Sequence, residues 1–350
     1  MKMKHVKITG VYLLLVSLLM IASCVSSDDD DDDTIGNWSK VTPFKGVKRS
    51  GAFSFTIGTT VFVGLGYDGD DYLSDMYVYD ITKGYWETKK AFPGTPRERA
   101  VSFSVNGKGY VGLGYNRDLD EEELGDFWEY DPATNEWTSI GDFEGTARYN
   151  AIGFSIGSKG YVGTGYDGDN TNSDFWEFDP TAEAGNQWNE IVSYPGDKIE
   201  SGLAFVINNK AYIGTGRENG SFSLDFWEFT PGEDDSAPTW IKRTPDSDDD
   251  DYDEFKLAMY RYDAMVITTG NTAYIVGGVA SSGAIDRSVY EFDATTLLWD
   301  DRTSFEGSAR SLAIGFALNN RIFVGTGQNG SSRYDDVWEF KPTETYDEDN

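Results

Sequence analysis

The sequence predicts an all-β protein, a six-bladed β-propeller with four-stranded blades, on three observations. A short β-type run ending in YVGTG or a near variant recurs six times, followed each time by a segment that resembles DFWEF. A lone Trp closes most of these units. The units repeat about every 50 residues, which is typical of propeller blades. The aromatic residues that open the glycine motif are Phe62, Tyr110, Tyr161, Tyr212, Tyr274 and Phe323.

Each unit is predicted to contain four strands. The first strand, such as residues 151–156, carries small and apolar residues, as a strand beside a crowded axis requires. The second strand is the glycine motif, where a neighbouring backbone approaches closely. The third strand, DFWEF, is apolar on both faces apart from its Glu, which indicates burial between adjacent blades. The fourth strand carries the Trp.

The positions of the tryptophans predict how the ring of blades closes. The sixth unit ends near Phe340 without a Trp after it, whereas Trp38 stands before the first unit. We therefore expect the N-terminal strand around Trp38 to complete the last blade, which removes a free sheet edge. This places the propeller at residues 37–341 and leaves an acidic tail at residues 342–350.

The placement of Trp and Gly in these six copies resembles the kelch family. The resemblance covers residues 37–341 and implies the galactose-oxidase-like propeller fold. Kelch units usually have two adjacent glycines, and only Gly277 and Gly278 show that pair here. The other units read GLG or GTG. The resemblance extends to bacterial six-bladed relatives that include sialic acid mutarotases.

The first residues of the chain resemble a lipoprotein signal peptide. Lys2, Lys4 and Lys7 precede an apolar stretch that is too short for a membrane span. The stretch ends in a sequence that resembles a bacterial lipobox, with Cys24 as the lipidated residue. We expect residues 1–23 to be the signal peptide; the alternative is a Cys that happens to end a secretory signal.

Six consecutive aspartates follow Cys24 and end at Asp33. Such a run repels itself and is predicted to be an extended tether over residues 24–36. It also resembles the acidic export signal of lipoproteins in Bacteroidetes-type bacteria. The expected location is therefore the outer membrane with the propeller at the cell surface, and the periplasm is the second choice.

Composition excludes several classes of function. Cleavage after residue 23 leaves 26 basic against 60 acidic residues, a net charge that repels phosphate backbones and argues against nucleic-acid binding. The only His is His5 and the only Cys is Cys24, so the mature propeller has no imidazole base and no free thiol. A copper galactose oxidase and a serine hydrolase with a His base are excluded, and no cofactor or metal is expected.

One register of the repeats carries a cation in an acidic chain. Five of six blades place an Arg just before the first strand, and the fourth blade has Ile199 there, followed by Glu200. An aromatic residue five positions earlier supports this alignment in Phe44, Phe92, Phe143, Tyr194 and Phe305. The arginines are Arg49, Arg97, Arg148, Arg261 and Arg310.

Strand parity places these arginines at the end of the propeller where the loops between second and third strands emerge. We expect this loop face to be the recognition surface, with the five arginines and Glu200 as candidate ligand-binding residues. The alternative is that each Arg joins its blade to the next by pairing with a repeated acid. The candidate acids are Glu129, Glu177, Glu228, Glu291, Glu339, Glu144 and Glu306.

Two acidic features have simpler explanations than calcium binding. The loops that begin at Asp68 and Asp167 do not match the spacing of a calcium loop and are predicted to be solvated turns. The acidic insertion at about residues 246–256 is predicted to be a flexible charged loop.

Two functions remain open. The first is a non-catalytic, lipid-anchored module, expected to be monomeric, that recognises a glycan or a partner protein on the loop face. The second is implied by the kelch relatives: a mutarotase or epimerase for an anionic sugar, which needs an acid or base and an Arg but no His. The fold alone does not distinguish these two functions.

Overall fold

The computed structural model describes residues 35–232 and 236–347, and these residues form a six-bladed β-propeller. Each blade is a four-stranded antiparallel sheet, and the predicted fold class is confirmed. The predicted signal peptide, Cys24 and nearly all of the tether lie outside the described residues. Within the described part of the chain, no helix has the length and apolar character needed to cross a bilayer.

The strands follow the chain blade by blade after an N-terminal strand, β1 (Ile35–Lys40). Blades 1 to 3 contain β2 (Phe53–Ile57), β3 (Thr60–Gly64), β4 (Met76–Asp80), β5 (Tyr85–Lys89), β6 (Val101–Val105), β7 (Lys108–Gly112), β8 (Asp126–Asp131), β9 (Glu136–Asp142), β10 (Ile152–Ile156), β11 (Lys159–Gly163), β12 (Phe175–Phe178) and β13 (Trp188–Ile191).

Blades 4 to 6 also carry short hairpins and one helix. They contain β14 (Leu203–Ile207), β15 (Lys210–Gly214), β16 (Arg217–Glu218), β17 (Ser221–Phe222), β18 (Phe226–Thr230), β19 (Thr239–Lys242), α1 (Tyr252–Met259), β20 (Arg261–Tyr262), β21 (Met265–Thr269), β22 (Thr272–Val276), β23 (Val279–Ala280), β24 (Val289–Asp293), β25 (Leu298–Arg302), β26 (Ile314–Leu318), β27 (Arg321–Gly325), β28 (Gln328–Asn329), β29 (Ser332–Arg333) and β30 (Val337–Thr345).

The N-terminal strand closes the ring as the missing sixth Trp predicted. Strand β1 pairs antiparallel with β30, and Trp38 lies opposite Phe340. Trp38 is fully buried, and its indole Nε1 donates a hydrogen bond to the Thr303 carbonyl at 3.2 Å. The pairing extends to Ile35 and Thr345, so the sheet continues a few residues beyond the predicted limits of the propeller.

The core lies between blades, where six apolar clusters each join neighbouring sheets. The third strands supply much of this core, as their apolar sequence predicted. A main-chain hydrogen bond also crosses each junction between blades. Gly66 donates it to the carbonyl of Arg97 in the next blade, and Gly327 donates to Arg49 across the closure. Gly66 has a φ of +97°, and a Cβ there would stand 2.6 Å from the Ser50 carbonyl oxygen.

The acidic insertion is helical rather than a flexible loop. Its second half forms α1, and Phe255, Ala258 and Met259 are buried against blades 4 and 5. These three residues share one face of a helix because they are spaced three and four positions apart. The dominant acidic charge of residues 246–254 obscured this pattern in the sequence.

Candidate functional site

The predicted arginines lie at the loop end of the propeller, but their guanidinium groups are buried inside the blades. All five side chains are at most 1 % exposed. In blade 3, Arg148 donates from Nη1 and Nη2 to the two carboxylate oxygens of Asp174, at 2.5 and 2.8 Å. Nη1 also donates to the Thr164 carbonyl, and Nε donates to the Thr146 carbonyl. Donors are therefore satisfied within the blade.

The same arrangement occurs in four blades. Each of these arginines pairs with the Asp that precedes or opens the third strand of its own blade. The pairs are Arg49 with Asp75, Arg97 with Asp126, Arg148 with Asp174 and Arg310 with Asp336. The aromatic residue five positions earlier lies under the guanidinium, 4.8 to 5.3 Å away, in Phe44, Phe92, Phe143 and Phe305.

These contacts correct the proposed pairing with repeated glutamates. The partner is an Asp of the same blade, and the Arg residue joins its blade to the preceding one through its main-chain carbonyl. The repeated glutamates contact other side chains: Glu129 accepts from Lys108 and Tyr110, and Glu339 accepts from Arg321. A ligand at the mouth of the propeller would not reach the buried guanidiniums, so the structure gives these arginines a structural role.

Charge and hydrogen bonding together keep the paired carboxyls ionised. Burial by itself would raise the pKa of Asp174, but the hydrogen bonds and charge of Arg148 outweigh it and lower that pKa. The pKa values of Asp126 and Asp336 are lowered in the same way, by Arg97 and by Arg310.

A different set of residues faces the central axis, two positions after the arginine register. We call these six residues the axial ring: Gly51, Arg99, Asn150, Ser201, Asp263 and Leu312. All six have φ between 51° and 62°. Main-chain N–H groups of the axial ring donate to carbonyls of the adjacent member in five links of 2.8 to 3.3 Å. Left-handed backbone costs a non-glycine residue about 1–2 kcal/mol, and this series of hydrogen bonds holds it in place.

The side chains of the axial ring form a polar network over the axis. Arg99 Nη1 donates to Asn150 Oδ1 at 2.7 Å and lies 3.4 Å from Asp263 Oδ1. Arg99 belongs to blade 2 and Asp263 to blade 5, so this contact spans the mouth. Asn150 Nδ2 donates to Glu200 at 2.8 Å, and Arg217 Nε donates to the other oxygen of Glu200 at 3.1 Å. Of the predicted site residues, Glu200 is thus the one that joins this network.

Burial and charge tune the ionisable groups of this network. Burial raises the pKa of Glu98 even though the neighbouring guanidinium of Arg99 acts in the opposite direction. Burial disfavours the charged form of Arg99, but the carboxylates of Asp263 and Glu98 outweigh it and raise the pKa of Arg99. The mouth therefore holds a permanent cation beside a carboxyl that takes up a proton more readily than an exposed Glu.

The axial ring lines a cavity of about 160 Å³, together with the small residues that follow each of its members. A second cavity of about 220 Å³ lies between the first strands. Tyrosines lie near this network: Tyr149 is close to Arg99 and Glu200, and its ring centroid is 4.8 Å from that of Tyr115. Arg117 and Arg333 each lie over Tyr67 within 5.0 Å. At about 30 Å³ per water, the cavity lined by the axial ring has room for roughly five waters or one small polar group.

The loops beginning at Asp68 and Asp167 are turns, as predicted. Asp68 Oδ1 accepts from the main-chain N–H groups of Asp70 and Asp71, and Asp167 accepts likewise from Asp169 and Asn170. Among the described residues, no group of three or more His, Cys, Asp and Glu side chains is arranged to hold a metal ion.

Comparisons with known proteins agree with the β-propeller fold. A solved structure titled "Structure of YjhT" superposes with a TM-score of 0.70 at 17 % sequence identity, covering 85 % of this chain and 96 % of that one. No protein-family model and no curated protein sequence matches the chain. At this identity the likeness is one of fold, and the chain is a six-bladed β-propeller.

Proposed function

We propose that the protein is a binding module whose axial mouth recognises a small polar group, such as a terminal sugar of a glycan. The supporting observation is that Arg99, Asn150 and Asp263 line one cavity. Beside it, Glu200 accepts a hydrogen bond from Asn150, and Tyr149 lies close to Arg99 and Glu200. Sugars need both donors and acceptors for their hydroxyl groups and an aromatic surface for their apolar faces. This mouth offers all three.

The proposed setting is the surface of the outer membrane, with the lipid on Cys24 as the anchor and the acidic run as the tether. The sequence supports this setting through the lipobox-like Cys24 and the aspartates behind it. A tethered propeller would present its mouth to extracellular glycans, and a partner protein on the same loop face is the other form of this proposal.

A second candidate is a sugar mutarotase or epimerase. Glu98 favours it, because burial raises the pKa of its carboxyl, which lies 3.8 Å from Arg99 Nε and holds a proton more readily than an exposed Glu. Opening a sugar hemiacetal moves a proton from the anomeric hydroxyl to a base and delivers a proton to the ring oxygen as the carbon–oxygen bond breaks. Glu98 would act as the acid and a carboxylate at the mouth as the base, and Arg99 would bind an anionic substituent of the sugar.

One experiment separates the two candidates. The purified protein is titrated with neutral and acidic monosaccharides, and NMR follows line broadening and anomer exchange in the same samples. Binding without faster exchange supports the recognition module, whereas exchange lost in Glu98→Gln supports the isomerase. Arg99→Gln should weaken binding at least about tenfold, since it removes a charged donor. The matched control is Glu183→Gln, at an exposed position away from the mouth. If Arg99→Gln binds as tightly as the control, the mouth is not the site.

A further inference from the structure

Blade 4 keeps the aspartate of the buried pair but lacks its arginine. Ile199, fully buried, stands at the arginine register, and Asp225 stands at the position of Asp174. In blades 2, 3 and 6 the Asp also accepts from the indole Nε1 of a Trp two residues later, at 2.7 to 2.8 Å. The equivalent Trp227 does not make this bond in blade 4. Asp225 therefore has neither of the two donors that its counterparts use.

Two buried polar atoms near Asp225 have no hydrogen-bond partner among the described residues. They are Nε1 of Trp227 and the hydroxyl of Tyr194, a residue that is only 2 % exposed. A Cβ placed on Gly196 would stand 2.7 Å from Cζ of Tyr194 and 2.8 Å from Oδ2 of Asp225, so the phenol lies beside that carboxylate. Buried polar atoms are almost always satisfied, which indicates a polar occupant at this place.

The surrounding atoms are mainly oxygens, and they can be reached from solvent. Asp197 is exposed, its main-chain N–H donates to Asp225 Oδ2 at 3.0 Å, and its Oδ2 accepts from Ser223 Oγ at 3.1 Å. In other blades the arginine also binds the carbonyl of the central residue of the glycine motif, which is Thr215 in blade 4. Blade 4 thus retains an acceptor set whose cation has been replaced by Ile199.

One cation of the protein already approaches this set. Lys242 Nζ lies 3.0 Å from Asp225 Oδ1, but the Lys242 side chain is 53 % exposed. An ion pair of this kind contributes only about 0–1 kcal/mol, and the amine can move away at little cost. Lys242 also leaves the Tyr194 hydroxyl and the Trp227 indole without a partner.

We propose that blade 4 binds a hard metal cation of the calcium class between Asp197 and Asp225, at the position that an arginine guanidinium takes in blades 1, 2, 3 and 6. Hard cations accept carboxylate, carbonyl, hydroxyl and water oxygens, and calcium takes six to eight of them in flexible geometry. With two carboxylates the expected affinity is about 10⁻⁴–10⁻³ M, the range of extracellular modules. Bound water would supply the remaining ligands and partners for the orphaned polar atoms.

The test uses the indole N–H resonances of the protein, because sixty acidic residues would bind calcium weakly elsewhere. The Trp227 resonance is assigned by its loss in Trp227→Phe. Titration with calcium chloride to about 10 mM should shift it saturably, since that covers the expected affinity range. Trp176 is the internal control, because its Nε1 already donates to Asp174 in blade 3. Its resonance should stay in place.

Two variants decide the question. Ile199→Arg would give blade 4 its own guanidinium and should abolish the saturable shift. Asp197→Ala removes one carboxylate ligand at an exposed position and should weaken binding at least about tenfold. Lys242→Ala should strengthen it, because a competing cation is gone. The proposal is overturned if Trp227 and Trp176 respond alike, if Asp197→Ala responds as the parent protein does, or if no saturable shift occurs.

Discussion

Blades 3 and 4 share one architecture, but the equivalent aspartates Asp174 and Asp225 have different partners. In blade 3, Arg148 and Trp176 both donate to Asp174, and the guanidinium lies over Phe143. In blade 4, Ile199 replaces the arginine, and the only ion pair of Asp225 within the described residues is with an exposed lysine. The main-chain bond between blades is kept at Ile199, whose carbonyl accepts from Gly165. The repeat therefore needs the backbone of this register, and the side chain is free to differ.

Blade 5 shows the complementary change. Arg261 is buried, but Ser288 stands where the other blades have Asp, and no carboxylate forms an ion pair with Arg261 in the described part of the chain. Arg261 donates to Ser288 Oγ, which in turn donates to Asp286. Burial lowers the pKa of Arg261. We call blades 1, 2, 3 and 6, which have the complete Arg–Asp pair, the regular blades. Blade 4 keeps only the Asp of this pair and blade 5 only the Arg, and α1 packs against these two blades.

The fourth strands extend this contrast and give the largest expected effect. Trp38, which closes blade 6, is fully buried between Phe305 and Phe340, whereas Trp240 of blade 4 is partly exposed. Trp38→Ala should lower the free energy of unfolding by about 3–5 kcal/mol, and Trp240→Ala by at most about 2–3 kcal/mol. Urea denaturation measures both. Equal losses would show that the closing strand is not a special weak point.

Removing the aspartate of the pair should destabilise the protein less than losing Trp38. The difference in stability loss between blade 3 and blade 4 should, however, be clearer. Asp174→Ala leaves the guanidinium of Arg148 buried without a counter-charge, an expected loss of about 3 kcal/mol or more. Asp225→Ala removes the pair with exposed Lys242 and a hydrogen bond from the main-chain N–H of exposed Asp197, so about 1–2 kcal/mol is expected in calcium-free buffer. Thermal unfolding of both variants checks this difference. A similar loss in blade 4 would mean that Asp225 has a buried partner after all.

The repeat period, the four strands and the closure were predictable because each depends on residues that recur in every blade. The role of the arginines was harder to predict, although the signal was present. In blades 1, 3 and 6 the partner Asp follows its Arg by 26 residues, and in blade 2 by 29. An alignment of the first strands contains Arg148 and its equivalents but not the partner aspartates, which lie next to the third strands. Exposure cannot be read from one strand, so a buried ion pair resembled a ligand site.

The residues of the mouth could not be found by repetition, because the axial ring has a different residue in every blade. Gly51, Arg99, Asn150, Ser201, Asp263 and Leu312 share a backbone conformation and a register, not a side-chain type. Residues that differ among repeats at one fixed position are where a symmetric scaffold acquires an asymmetric site. The six members of the axial ring stand two residues after the five arginines and Ile199, so the arginine register also locates the axial ring in the sequence.

Acid should weaken the regular blades first. The pKa values of Asp126, Asp174 and Asp336 are lower in the folded protein than the ordinary 3.8. A lowered folded-state pKa contributes stability above the unfolded-state value, and that stability is lost as the pH falls through the folded-state pKa. Stability should therefore be retained down to about pH 4 and decline below it. The parent protein and Asp174→Asn are compared by thermal unfolding between pH 6 and pH 2.5. The variant should be less stable at pH 6 and lose less on acidification; parallel curves would contradict this assignment.

The smallest expected effect comes from repairing blade 5. Ser288→Asp would place a carboxylate next to Arg261, as in the regular blades, and a charge-assisted hydrogen bond contributes about 1.5–3 kcal/mol. Repulsion from Asp286 offsets part of this gain, because Ser288 Oγ lies 2.7 Å from that carboxylate. We expect a net gain of about 1 kcal/mol. Ser288→Asn has the same shape without the charge and should give no gain. If both variants are destabilised equally, Asp286 already neutralises Arg261 through the hydroxyl of Ser288. Blade 5 then has a complete charge pair that is bridged by Ser288.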